Sequence, residues 1–133
     1  MKPLFADTSF YVALLNSRDL MHVKALQVGD YFHRPVLLTD FVLLELGNVL
    51  SSVGQRGLFS KLTDRLRSDP NVRIVAASRD LLDKGLRLFS RREDKEWSLT
   101  DCTSFVIMQE EELKEALTTD HHFEQAGFTV LLR

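Results

Sequence analysis

The sequence has one cysteine, three prolines and six glycines in 133 residues. Cys102 has no partner for an internal disulfide and no CxxC neighbour, so the fold does not depend on oxidation, which points to the cytoplasm. So few prolines and glycines argue against a long disordered segment. Long apolar runs are missing too: FYVALL, at 10–15, is far too short to span a bilayer, so no membrane role is expected. Pro3 and Asp7 interrupt the N-terminal stretch that a secretory signal would need as its apolar core, so no such signal is expected. A large excess of either charge is also lacking. The net charge of −2 provides no global attraction to nucleic acid.

Hydrophobic content of 44% and charged content of 27% are ordinary for a soluble globular chain. The length fits a single domain, 1–133, able to bury about two-thirds of its unfolded surface. Charge is unevenly spread. Residues 79–92 hold five bases against two acids, and residues 110–124 hold six acids against one base. Solvated helix faces account for most such runs. Arg18, Arg56, Arg91 and Arg92 are candidates for phosphate contact.

Five short apolar runs have strand length: LFA at 4–6, PVLL at 35–38, NVRIVA at 71–76, EALTT at 115–119 and FTVLLR at 128–133. Between them lie segments with helical spacing, such as Phe41, Leu44, Leu46, Val49 and Leu50. This alternation predicts an α/β domain with parallel strands and helices on both faces of the sheet. Ser98 and Asp101 fit a capping-box start, Gly54 and Gly57 bracket a break, Asp69-Pro70-Asn71 forms a turn, and Gly127 closes the last helix.

Parallel sheets bind ligands at the carboxyl ends of their strands. Asp7 follows the first strand and Asp120 the fourth, so both carboxylates reach one crevice if those strands are neighbours. A helix N-cap explains either acid equally well. Glu45, within FVLLELGNVL, is surrounded by apolar residues, and charged side chains are seldom buried unless paired or bound to a cation. Asp40 reads as a helix cap, and the capping box suffices to explain Asp101.

If Asp7, Glu45, Asp101 and Asp120 converge, each pair about 4 Å apart repels by roughly 4 kcal/mol at an effective dielectric near 20. Such a site binds a cation or stays partly protonated. All-oxygen donors select Mg²⁺, or Mn²⁺, and ions of that kind serve phosphodiester hydrolysis with water as nucleophile.

The blocks LFADTSFYVALL, TDFVLLELGNVL, DKEWSLTDCTSF and ALTTDHHFEQAGF, in this order, resemble the four acidic blocks of PIN-domain ribonucleases, particularly the small VapC-like toxins of bacterial toxin–antitoxin pairs. The resemblance spans nearly the whole chain. It implies a five-stranded parallel sheet sandwiched between helices. It also implies that Asp7, Glu45, Asp101 and Asp120 are the catalytic, metal-holding quartet, with a hydroxyl from Thr8 or Ser9 beside the ion. Asp94 is either an outer acid or a surface-loop residue. An RNA substrate, a homodimer and an antitoxin whose tail enters the acidic groove follow from the same resemblance. PIN domains also work outside toxin pairs, in RNA processing and decay.

His121 and His122 adjoin Asp120, but no HExxH spacing supports zinc, and helix-start residues explain them better. Cys102 reads as a small buried residue and Trp97 as packing at a helix entrance. A phospho-receiver domain needs paired acids after its first strand and a lysine after its fifth, which this chain lacks. A dehalogenase-type phosphatase needs DxDxT, where the sequence has DTSFY. A partner-binding scaffold without catalysis remains the non-enzymatic alternative.

Overall fold

The structure is a computed structural model that describes residues 1–31 and 33–133. In chain order it contains β1 (Leu4–Ala6), α1 (Thr8–Leu15), α2 (His22–Tyr31), β2 (Val36–Thr39), α3 (Asp40–Val49) and α4 (Arg56–Ser68). There follow β3 (Val72–Val75), α5 (Arg79–Arg91), α6 (Leu99–Glu110), β4 (Glu115–Leu117), α7 (His121–Gln125) and β5 (Thr129–Val130). All neighbouring strands pair in parallel, in the order β3-β2-β1-β4-β5. Each of the five apolar runs supplies one strand, as the alternation predicts.

Position in the sheet sets burial. The central β1 is buried throughout, whereas the edge strands β3 and β5 are partly exposed. Three of the strands, β3, β4 and β5, are shorter than the runs that carry them. EALTT contributes only Glu115–Leu117, because Thr118 leaves the ladder and uses its hydroxyl to bond Asp7 and the Asp120 amide.

From β1 the chain winds outward through β2 to β3. Helices α5 and α6 then carry it back to β4, on the other side of β1. The strand order therefore reverses between β1 and β4, where Phe5 pairs with Ala116 and Ala6 with Leu117. Open α/β sheets form their ligand crevice at such a point. Asp7 stands immediately beyond β1 there, its amide donating to Leu117 O at 3.0 Å.

An aromatic cluster supports this end of the sheet. Phe105 meets Trp97 edge-on at 5.0 Å and Phe123 at 4.9 Å, tying α6 to α7. Such pairs contribute about 0.5–1.5 kcal/mol each beyond their burial. Trp97 is buried and donates its indole N–H to Gln125, so it packs a helix entrance as its position predicts. Helices α5 and α6 cross closely at Gly85, where a Cβ would lie 2.6 Å from Thr103 Cγ2.

Local signals hold with two corrections. The Ser98–Asp101 capping box forms in both directions, Asn71 N–H donates to Asp69 Oδ1, and Gly127 follows α7 at φ +96°, a left-handed value that favours glycine. Asp40, however, is the first residue of α3 and not its cap. Thr39 caps instead, accepting from the Val42 amide, while Asp40 Oδ2 accepts from the Ala77 amide. Gly57 lies within the first turn of α4, so the break after α3 occupies residues 50–55.

Candidate active site

A cleft of about 390 Å³ opens at the carboxyl ends of β1 and β4, and Asp7, Glu45, Asp101 and Asp120 all line it. Asp7 comes from the end of β1, Glu45 from mid-α3, Asp101 from the first turn of α6 and Asp120 from the turn after β4. The four acids singled out in the sequence therefore share one crevice. Asp94 does not line it; it is exposed and pairs with Arg92 across 2.9 Å, which matches the surface-loop reading.

Asp7 is 3% exposed and has the backbone geometry of an N-cap, yet its side chain caps nothing. Its Oδ2 accepts instead from Thr118 Oγ1 at 2.8 Å and from Ser9 Oγ at 3.1 Å. Burial pushes its pKa from 3.8 up to about 7; the Thr118 hydrogen bond opposes the rise and the Asp101 charge adds to it. Desolvation disfavours the charged carboxylate, and two hydroxyl donors do not fully replace water.

Asp101 is also buried, and its Oδ2 accepts from the Ser98 amide at 3.1 Å. Burial raises its pKa, and the nearby charge of Asp120 raises it further. Asp120 caps α7, with Oδ1 accepting from the His122 amide at 2.9 Å. His122 lies between the two acids, its Nδ1 3.2 Å from Asp101 Oδ2 and 3.3 Å from Asp120 Oδ1.

Glu45 differs from the sequence picture of a carboxylate enclosed by apolar side chains. Val42, Leu43 and Leu46 are buried, but Leu44 is 62% and Val49 53% exposed, leaving Glu45 half-buried at the cleft wall. Only one face of α3 meets the core, so an apolar sequence neighbour need not be a buried one. Leu44 and Val49 belong to the outward face.

Asp19, Glu96 and His122 also line the cleft, and sequence reasoning did not place them there. Asp19 lies in the α1–α2 connection, whose path no local pattern reveals. The fully buried Thr118 was likewise missed as a contributor. Its hydroxyl joins Asp7, Ser9 and the Asp120 amide. A signal was present in LTTDHHF, where a threonine stands two residues before the acid at a strand end.

Six carboxylates in one cleft form a hard, oxygen-rich donor set of the kind that suits Mg²⁺ or Mn²⁺. Thr8 lines the same cleft, and its Oγ1 is buried without a hydrogen-bond partner among the described residues. A buried hydroxyl left unpaired is costly unless a ligand satisfies it. The residues present therefore fit a divalent cation.

The PIN-domain family model matches residues 4–129. The 23S rRNA-specific endonuclease VapC20 of Mycobacterium tuberculosis is 31% identical over 126 residues, covering 94% of this chain and 95% of its own length. The crystal structure of VapC20, titled a Sarcin-Ricin loop cleaving toxin, matches with a TM-score of 0.85 at 27% identity, over 94% of this chain and 95% of that one. FitAcB from Neisseria gonorrhoeae shares the fold at a TM-score of 0.66 and 19% identity, over 96% and 95% of the two chains. With its sheet order, its cleft of acids and a family match over nearly its full length, the chain belongs to the PIN-domain family.

Proposed function

We propose that this protein is a divalent-metal-dependent endoribonuclease and the toxin of a bacterial toxin–antitoxin pair. The observation that carries this reading is the convergence of Asp7, Glu45, Asp101 and Asp120 on one cleft, with Asp7 buried where an unscreened carboxylate is disfavoured. A bound Mg²⁺ or Mn²⁺ would offset that repulsion, supply a water acidic enough to attack phosphorus at neutral pH, and stabilise charge on the phosphate.

The chain's own groups do the positioning. Thr118 and Ser9 hold Asp7, Ser98 and His122 hold Asp101, and the first turn of α7 holds Asp120. These three carboxylates are thus oriented before an ion or substrate arrives, which lowers the reorganisation needed during reaction. Thr8 Oγ1 is the hydroxyl best suited to the ion, because Ser9 Oγ is already engaged with Asp7 and Thr118. Exposed Arg18, Arg56 and Arg91 form no salt bridge among the described residues and are the better candidates for RNA phosphates. Arg92 is committed to Asp94 and to the Trp97 ring, 4.9 Å away.

VapC20 is a 23S rRNA-specific endonuclease and a Sarcin-Ricin loop cleaving toxin, so 23S rRNA is the first substrate to test here. Action on that substrate would require the protein in the cytoplasm; no helix among the described residues is long and apolar enough to cross a membrane. An antitoxin protein and a second copy of the chain are the proposed partners. Exposed Leu44, Val49, Val53 and Leu58 on and between α3 and α4 supply apolar surface for such contacts.

The test is cleavage of 23S rRNA by purified protein with Mg²⁺, with Mn²⁺ and with chelator, repeated on Asp7→Asn. Cutting at discrete sites that requires the ion and disappears in the variant is expected. Cutting that survives both chelation and the substitution would remove the proposal.

A further inference from the structure

Asp120, His121 and His122 bring one carboxylate oxygen and two ring nitrogens within 4.8 Å of one another. The two imidazoles lie 4.4 Å apart between centroids, although consecutive residues of a helix normally point some 100° apart. His122 also has a carboxylate partner, Asp101 Oδ2, 3.2 Å from its Nδ1. A carboxylate on that nitrogen fixes the ring and tautomer and leaves Nε2 as the atom that would meet an ion. His121 Nδ1 stands 3.7 Å from Asp120 Oδ1 with a side chain 60% exposed, so it is open to an ion from solvent.

We propose that Asp120, His121 and His122 form a second metal site, specific for a borderline transition ion such as Zn²⁺ and distinct from the all-oxygen quartet with which it shares Asp120. The sharing rests on the quartet reading above; the donor geometry of the trio does not. Mg²⁺ takes oxygen ligands in a near-ideal octahedron, so two imidazoles select against it. Zn²⁺ accepts two nitrogens and one carboxylate at about 2.0–2.2 Å, leaving a fourth position for water. Ligand atoms around a tetrahedral Zn²⁺ lie about 3.3 Å apart, so the widest separation in the trio must close by about 1.5 Å. The exposed His121 side chain is the member of the trio with most room to move.

The site has a consequence for activity. An ion held by the histidines occupies Asp120 and withdraws it from the Asp7 end of the cleft. Zinc therefore acts as an inhibitor of Mg²⁺-supported cleavage, through competition for one carboxylate.

Cobalt(II) is the probe, because tetrahedral Co²⁺ absorbs visible light far more strongly than octahedral Co²⁺. The wild-type protein is expected to bind one equivalent with an intense visible band that one equivalent of Zn²⁺ abolishes and excess Mg²⁺ does not. His121→Ala, at an exposed position, is expected to weaken Co²⁺ binding by about tenfold or more and to raise the zinc concentration needed for inhibition by a similar factor. Asp7→Asn is expected to keep the cobalt band. No intense band, or a band unchanged in His121→Ala, would overturn the site. RNA cleavage persisting in Asp7→Asn would instead overturn the quartet and leave the cobalt result standing.

Discussion

Helices α1 and α6 both begin with an acid facing one cleft, and the two acids are held in opposite ways. Asp101 closes a capping box with Ser98, so its main partners lie three residues away. Asp7 has the backbone of a cap but caps nothing, and turns to Thr118, 111 residues distant. A capping box stabilises its helix by about 1 kcal/mol wherever the helix packs. Asp7 is buried at a cost to the folded chain, seen in a pKa raised by desolvation to about 7. Burial raises the pKa of both acids, but Asp101 offsets part of that cost by capping its own helix, whereas Asp7 carries it without a cap.

Asp7→Asn draws this contrast most sharply, because two readouts should move in opposite directions. RNA cleavage is expected to fall by roughly a hundredfold or more, as when a group aimed at transition-state charge is removed. Thermal stability of the chelator-treated protein should rise. The folded Asp7 carboxyl keeps its proton up to about pH 7, whereas the unfolded one loses it near 3.8. Across that window the folded state binds more protons, so wild-type stability falls as pH climbs from about 4 to about 7 and stays reduced above it. The displacement corresponds to an upper bound of about 4 kcal/mol. Melting curves of wild type and variant should converge at pH 4 and separate by pH 8. A gap independent of pH would break the assignment of the cost to the Asp7 charge.

Gly85→Ala probes the support of the Asp101 side. The added methyl would press on Thr103, two residues beyond Asp101, and is expected to cost about 1–3 kcal/mol in urea unfolding. Ser98→Ala removes the hydroxyl of the capping box and should cost about 1 kcal/mol, with cleavage reduced less than in Asp7→Asn. Asp94→Ala breaks an exposed pair outside the cleft. It should shift stability by less than about 1 kcal/mol and leave the cleavage rate as it was.

Legibility in the sequence followed the range of the interactions involved. The five strand-forming runs, the Ser98–Asp101 box and the glycine after α7 were readable because their patterns lie within a few residues. Thr39 was passed over as the α3 cap because Asp40 beside it is also a good capping residue, and only the contact of Asp40 with Ala77 in the β3–α5 loop decides between them. The half-exposure of Glu45 was hidden because FVLLELGNVL is apolar on more faces than the core covers. Asp19 and Glu96 enter the cleft from connections whose direction no neighbouring residue encodes.

The sequence by itself determined which segments become strands and helices, where several helices begin, and in what order the acidic blocks appear, since hydrophobic spacing and capping act over one or two turns. Tertiary structure alone decided that these acids meet. Their meeting depends on β4 pairing with β1 after α5 and α6 carry the chain back across the sheet. The same pairing brings Thr118 against Asp7, and the packing of α6 against α7 sets His122 between Asp101 and Asp120. Charge repulsion and desolvation act through space over a few ångströms, so they arise only once distant parts of the chain have been packed together.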